Sequence, residues 1–387
     1  MRVFYDHQAF TMQNYGGVSR CFVELYKHLP KEVDAHILVH ESDNVYLKGV
    51  PGVHPKRYHF NHFICHWNFP GKCRLHMLTD RFRKHKYYPE YNTNYVFEEL
   101  DKGDFDIFHP TYYSDYFLTH LNGKPFVLTI HDMIPELYPQ YYGQDNVQIV
   151  MKRKLAPMAK AIIAVSENTK QDIIRFLGVS EEKIHVVYHG CSLPIVKDTS
   201  RPFPFPYILF VGARWTYKNF IPFVQSLAPI LKANKDLYIV CTGAEFGSEE
   251  ITLFEELGVE DRFIHQWINN DLDLYTLYHY AFCFVYPSEY EGFGIPILEA
   301  YQADCPVLLN RRSCFPEIAA DAAIYFDMDA NHNNFTSVFE SFLKTDRDDR
   351  EKLLEKQRHR LQHFSWDQSA KQLAKVYDSI SRAKDEE

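Results

Sequence analysis

No apolar run in the 387 residues reaches the roughly 18 that a membrane-spanning helix needs. The opening MRVFYDHQAF has neither a basic nor an apolar stretch, so it does not read as a secretory leader. None of the eight cysteines takes part in a C-x-x-C, and several sit inside apolar runs, such as Cys241 in LYIVCTG and Cys283 in FCFVY. Buried free thiols in a reducing compartment fit this better than a disulfide framework, and we expect a cytoplasmic protein. No G-x-G-x-x-G occurs, which counts against a nicotinamide-binding oxidoreductase. Internal repeats and low-complexity segments are also lacking. Positive charge is in deficit, with 42 Lys and Arg against 51 Asp and Glu and a net −9, so the chain is not built to coat nucleic acid.

What is present is ordinary for a globular protein, 46% apolar and 24% charged, with a surplus of aromatics at 16%. The length suits two or three domains. Twelve short apolar runs recur, each followed by a helix-length amphipathic segment. They are RVFY, AHILV, DIFH, PFVLTI, AIIAV and HVVY before residue 190, and YILFVG, LYIVCTG, RFIHQW, FCFVYP, PVLLN and AIYF after 206. Runs apolar on both faces read as buried parallel strands, and strands alternating with helices read as βαβ units in open sheets. After Gly16-Gly17, residues Val18, Cys21, Phe22, Leu25 and Leu29 give one helix its apolar face. The expected architecture is α/β, with Rossmann-like domains over 1–190 and 207–362. A stiff proline-rich connector at 191–206 joins them, and a helix with a frayed acidic tail follows at 363–387.

In open parallel sheets ligands sit beyond the carboxyl ends of the strands, and four such loops carry candidate chemistry. The first is PSEYEGFGIPILEAY (287–301). Gly292 and Gly294 permit a tight turn, Pro296 suits the first turn of a helix, and that helix start is a seat for phosphate. Glu299, expected in the first turn, could accept from ribose hydroxyls, and Glu291 would face whatever lies beyond the phosphates. The plainer alternative is an acidic helix start that complements the dipole.

This string resembles the signature of retaining family-4 glycosyltransferases. The resemblance implies the GT-B fold, two Rossmann-like doubly wound domains facing a central cleft. It places Glu291 on the donor sugar, the backbone of Phe293-Gly294-Ile295 on the diphosphate and Glu299 on the ribose. It also implies that Arg214 and Lys218 of VGARWTYKNF (211–220) neutralise the diphosphate, although Gly212-Ala213 replaces the family's G-R and puts Arg214 one position late. Asn219 could cap the next helix. Gly16 and Gly17 of YGGVSR resemble the family's glycine pair near the reaction centre. His131 of TIHDMIPE resembles its cleft histidine, the alternative being a packed His beside a capping Asp132. Trp267 and Ile268 fall where the family packs the nucleotide base. AVSENTKQDI, VVYHG and FPEIAADAAIYF match further landmarks, while Asp304 stands for a small residue and His189 for an Asn.

The family implies no metal and no cofactor beyond the nucleotide diphospho-sugar. HDMIPE and EGFGIPILEA look most like bacterial mannosyltransferases, which points to mannose from a GDP donor and a glycan or lipid-diphosphate-linked acceptor in surface polysaccharide assembly. A sugar-nucleotide epimerase or hydrolase of the same fold, or a catalytically silent nucleotide-sugar binding protein, stays open. Residues 54–91 break the βα pattern with eight Lys or Arg, two acids, six His and nine aromatics. We read this insert as a surface for anionic membrane or a lipid-linked acceptor, the alternative being a solvated insert packed on its domain. Its His62, Cys65, His66, Cys73 and His76 fit no standard zinc spacing, so no metal is expected there.

Overall fold

The computed structural model describes residues 1–55, 69–72, 74, 75, 78, 89–196, 199–214 and 216–385. Most of the basic insert 54–91, and all five of its zinc candidates, lie outside the described residues. Among the described residues twelve strands form, one for each apolar run. They are β1 (Arg2–Tyr5), β2 (Asp34–Ile37), β3 (Ile107–His109), β4 (Val127–Ile130), β5 (Ala161–Ala164), β6 (Ile184–Val186), β7 (Tyr207–Phe210), β8 (Tyr238–Cys241), β9 (Phe263–His265), β10 (Cys283–Tyr286), β11 (Val307–Asn310) and β12 (Ile324–Phe326). The helices used below are α1 (Gly17–His28), α2 (Val147–Met158), α3 (Glu167–Leu177), α4 (Phe220–Ala233), α5 (Asp271–Tyr280), α6 (Ile295–Gln302), α7 (Arg347–Leu361) and α8 (Trp366–Asp385). No described helix is long and apolar enough to cross a membrane.

The chain divides into unit 1 (1–165, 170–187 and 366–387) and unit 2 (166–169 and 188–365). In unit 1 the parallel strands run β2-β1-β3 and β4-β5-β6, and one parallel bridge between Phe108 and Phe126 links the two sets. Cys21, Phe22 and Leu25 of α1 are buried in its core, with Val18 and Leu29 packed at the margin, as the helical spacing predicts. The helix expected within 363–387 forms as α8 and belongs to unit 1. Leu373, Ala374, Val376 and Tyr377 of α8 complete the core of unit 1. The Tyr377 hydroxyl lies 2.7 Å from that of Tyr5 and 2.6 Å from Nδ1 of His109, whose Nε2 meets the Thr129 hydroxyl at 2.8 Å. Burial pushes the His109 pKa down to about 3, so this chain of hydrogen bonds is neutral.

Unit 2 is a single six-stranded parallel sheet in the order β12-β11-β10-β7-β8-β9. Read from β9, its strands follow the Rossmann order 3-2-1-4-5-6, and the winding reverses between β7 and β10. Those two strands and β11 are buried along their whole length, which is why they read as unbroken apolar runs. The proline-rich 191–206 segment packs on unit 2. Phe205 stacks on Tyr238 at 3.9 Å, and the Tyr280 hydroxyl donates to the Thr199 carbonyl.

Candidate active site

The winding reversal in unit 2 places the loops after β7 and β10 side by side, where an open α/β sheet receives its ligand. Both loops start on buried strands, and the Glu289 N–H donates to the Tyr217 carbonyl at 2.8 Å, tying one loop to the other. A 3-10 turn, Thr216–Lys218, then aims Lys218 across the gap, and its ammonium pairs with the Glu291 carboxylate. Only 15% and 11% of these two side chains is exposed. Tyr286 lies under the pair. Burial, and then the Glu291 charge, hold its hydroxyl protonated well above the usual tyrosine range.

Beyond Glu291 the chain turns through Gly294, whose φ of +88° is a left-handed conformation that favours glycine. A Cβ there would also meet Ile297 and Phe315 at 3.2 and 3.3 Å. Helix α6 starts at once, with Gly294 as N-cap and Pro296, which has no N–H, in the first turn; the Ile297 N–H donates to the Gly294 carbonyl at 2.9 Å, so the Gly294 and Ile295 N–H groups are the ones left without an intrahelical acceptor. Glu299 sits in the second turn rather than the first, because the helix starts at Ile295. It is buried, and Oε2 accepts from the Tyr278 hydroxyl of α5 at 3.2 Å.

Arg214 requires a correction. The residue expected on the diphosphate is bound instead to Glu250, with Nε to Oε1 at 2.6 Å and Nη2 to Oε2 at 3.1 Å. Nη1 donates to the Thr242 carbonyl, and Nη2 to those of Ala244 and Glu245. With at least four of its five N–H donors engaged and 6% of the side chain exposed, Arg214 braces the loop after β8. That loop runs against the β7 loop, since a Cβ on Gly243 would lie 2.7 Å from the Gly212 carbonyl oxygen. Sequence reasoning missed Glu250, which lies 36 residues away on a helix of its own. Asn219 does occupy the N-cap of α4, but its side chain makes no cap bond and donates to the Met328 carbonyl.

The remaining candidates are carried by other elements. Trp267, 56% exposed and with its ring edge on His265, and Ile268 follow β9 at the sheet's outer edge. In unit 1, Gly16 is the N-cap of α1 and Gly17 its first residue. Neither is in the left-handed region, Gly16 being extended at φ 177°, and a Cβ on Gly16 would collide with the flexible Gln13 side chain. His131 leaves the end of β4 with its backbone N–H on the Tyr113 hydroxyl at 3.1 Å. Burial lowers its pKa to about 4, so the ring is neutral at pH 7 and offers one donor and one acceptor. Asp132 caps no helix with its side chain but accepts from the Ile134 N–H at 3.0 Å, a local turn.

Two family models match the chain in succession, Glycosyltransferase Family 4 over residues 15–193 and Glycosyl transferases group 1 over 193–360. The chain is a family-4 glycosyltransferase of the GT-B fold. Among curated relatives, the O-antigen chain mannosyltransferase RfbU of Salmonella typhimurium is 30% identical over 206 residues, which is 52% of this chain and 56% of RfbU. O-antigen chain mannosyltransferase B of Escherichia coli is 28% identical over 65% of this chain and 69% of its own length. Sucrose-phosphate synthase from Thermosynechococcus elongatus superposes with a TM-score of 0.72 at 17% identity, covering 99% of this chain and all of the other. The Anabaena protein HepE, solved with UDP and glucose, gives 0.70 at 16%, covering 98% of this chain and 100% of that one.

Two departures of this glycosyltransferase from its family now have a physical setting. Asp304 has φ +54°, the left-handed region where Gly, Asn and Asp are the tolerated residues, and its carboxylate pairs with Arg358 of α7 at 2.7 Å. The pair is about half exposed, so its worth is small and offsets part of the backbone strain. Asp304→Gly is accordingly expected to change stability by no more than about 0.5 kcal/mol in urea unfolding. A loss above about 1 kcal/mol would give the ion pair more weight than we assign. His189 is buried with its ring edge-on to Phe293, 4.9 Å away, and so packs beneath the glycine turn.

Proposed function

We propose that this protein transfers a hexosyl group, with retention of configuration, from a nucleotide diphospho-sugar to a hydroxyl of a growing glycan. The observation that carries the reading is the Lys218–Glu291 pair set beside the start of α6, one cation and one carboxylate next to a glycine-capped helix N-terminus. The diphosphate would rest on the N–H groups of Phe293, Gly294 and Ile295 and on Lys218, which together meet the charge that grows as the sugar leaves. Glu291 and the neutral His131 would orient the sugar, Gly16 and Gly17 admit the diphosphate or the acceptor, Glu299 hold the ribose, and Trp267 with Ile268 pack the base. The acceptor oxygen attacks the anomeric carbon on the face from which the diphosphate departs. Its proton passes to the departing phosphate oxygen. With Lys218 and the helix start supplying positive charge, we propose donor binding without metal or other cofactor.

Mannose from a GDP donor is the sugar and base we propose, because both curated relatives above are named O-antigen chain mannosyltransferases. The proposed acceptor is a glycan chain, lipid-diphosphate-linked and met at an anionic membrane surface through the 54–91 insert. Calorimetric titration with GDP, UDP and ADP, with and without magnesium, tests the reading on wild type and Glu299→Ala. We expect GDP to bind without metal and to lose at least about tenfold in affinity in the variant, since a buried acceptor for the ribose is gone. If no nucleotide binds under either condition, the sugar-nucleotide site is wrong.

A further inference from the structure

Residues 166–169 break the continuity of unit 1. The strand before them and the rest of α3 after them belong to unit 1, yet Ser166–Thr169 belongs to unit 2. Its contacts there converge on the loop that carries Glu291. The Ser166 hydroxyl donates to the Gly292 carbonyl at 2.6 Å, and the Thr169 hydroxyl donates to the same oxygen at 3.1 Å. Both residues are fully buried. The Glu317 carboxylate accepts from the N–H groups of Glu167 at 2.7 Å and Asn168 at 3.0 Å, which pins the segment in place.

The neighbouring carbonyls are held as well. The Glu291 carbonyl accepts from the Ser313 hydroxyl at 2.8 Å and from the Cys314 thiol at 3.3 Å, and the Phe293 carbonyl accepts from the same thiol at 3.1 Å. Three consecutive carbonyls of the glycine loop therefore point at protein donors. In a trans peptide the N–H lies opposite the C=O of the same plane, and no described peptide bond is cis. Fixing the Gly292 carbonyl thus turns the Phe293 N–H away from the two hydroxyls, and fixing the Phe293 carbonyl does the same for the Gly294 N–H.

We propose that Ser166 and Thr169 are positioning residues of the donor site, holding the Gly292 carbonyl so that the next N–H groups are aimed at the diphosphate and the Glu291 side chain at Lys218. The inference rests on the sugar-nucleotide reading above. Two donors share one acceptor because a carbonyl oxygen has two lone pairs, so each hydroxyl partly covers for loss of the other. Ser166 has a second task, since its Oγ also accepts the Thr169 N–H at 3.0 Å and so caps α3. Glycine replaces serine at an N-cap with little loss, which makes Ser166→Gly a probe of the donated bond and not of the cap.

The experiment titrates GDP, UDP and ADP into wild type, Thr169→Val, Thr169→Ser, Ser166→Gly and the Ser166→Gly/Thr169→Val double variant, with thermal melting alongside. Taking the nucleotide that wild type binds, we expect about three- to tenfold weaker affinity in each single variant lacking a hydroxyl. The double variant should lose more than the product of the two, at least about twentyfold, and Thr169→Ser should stay within about twofold of wild type. Melting temperatures of Thr169→Val and Thr169→Ser should lie within a few degrees of each other. Unchanged affinity in Thr169→Val overturns the inference even if the double variant fails to fold. So does an affinity loss that Thr169→Ser shares. Wild type binding none of the three nucleotides is a different result, because it sinks the sugar-nucleotide reading and the inference with it.

Discussion

Glu291→Gln is expected to move two readouts in opposite directions, tightening nucleoside diphosphate binding about three- to tenfold while lowering donor turnover by about 10²–10³. In the unliganded protein the Lys218 ammonium is neutralised by the Glu291 carboxylate in a mostly buried pair. A diphosphate arriving at the start of α6 must share that ammonium with Glu291 and also sits near a like charge. The amide removes both penalties and leaves Lys218 free to face the phosphates. Turnover falls for a separate reason: the proposed donor sugar loses the charged group that orients it and meets charge developing at the anomeric carbon. Lys218→Met should instead weaken binding by at least about tenfold and cut turnover by a similar 10²–10³. Calorimetry with GDP, run beside a donor-turnover assay, reads both quantities. An ion pair that only held two loops together would weaken binding equally in both variants, and that result would remove the pair from the proposed site.

Much of the fold was legible because burial on both faces leaves an unbroken apolar run, and every one of the twelve runs became a strand. What local periodicity could not supply is which loops meet. Lys218 and Glu291 are 73 positions apart and touch only because β7 and β10 are neighbours at the winding reversal. Within the 211–220 loop, Arg214 and Lys218 look equivalent as cations near a strand end. Glu250 separates them, binding one at 2.6 Å and leaving the other to Glu291. Helix phase was a second limit. The left-handed Gly294 starts α6 at Ile295 and so moves Glu299 into the second turn, towards Tyr278. The third was the chain's own path, since α8 returns to the core of unit 1 and residues 166–169 depart from it. Nothing in composition marks either excursion.

The largest stability effect is expected at a pair that sequence reasoning passed over. Lys152 of α2 and Glu136 form an ion pair with Nζ to Oε2 at 2.7 Å, and the two side chains are 0% and 1% exposed. The ammonium also donates to the Asp132 carbonyl at 3.0 Å and lies 5.4 Å from the Tyr113 ring centre, while Oε1 of Glu136 has no hydrogen-bond partner. Two charges taken wholly out of water are costly, and their attraction returns that cost only while both are present. Glu136→Leu should therefore destabilise by about 3–5 kcal/mol, because the ammonium stays buried with a backbone carbonyl as its main acceptor. Lys152→Met should cost a comparable amount. The Glu136→Leu/Lys152→Met double variant should recover most of the loss, to within about 1–2 kcal/mol of wild type, as two apolar groups of similar volume replace the pair. Urea unfolding of the four proteins measures the coupling directly. A double variant as unstable as the sum of the singles would mean that the two side chains are not energetically coupled, and the buried-pair account would fail. The proposed role of His131 is tied to the same atoms, since Asp132 follows it and the Asp132 carbonyl is held by Lys152. The single variants should accordingly lose donor turnover before they lose nucleotide affinity, because that affinity is proposed to reside in unit 2.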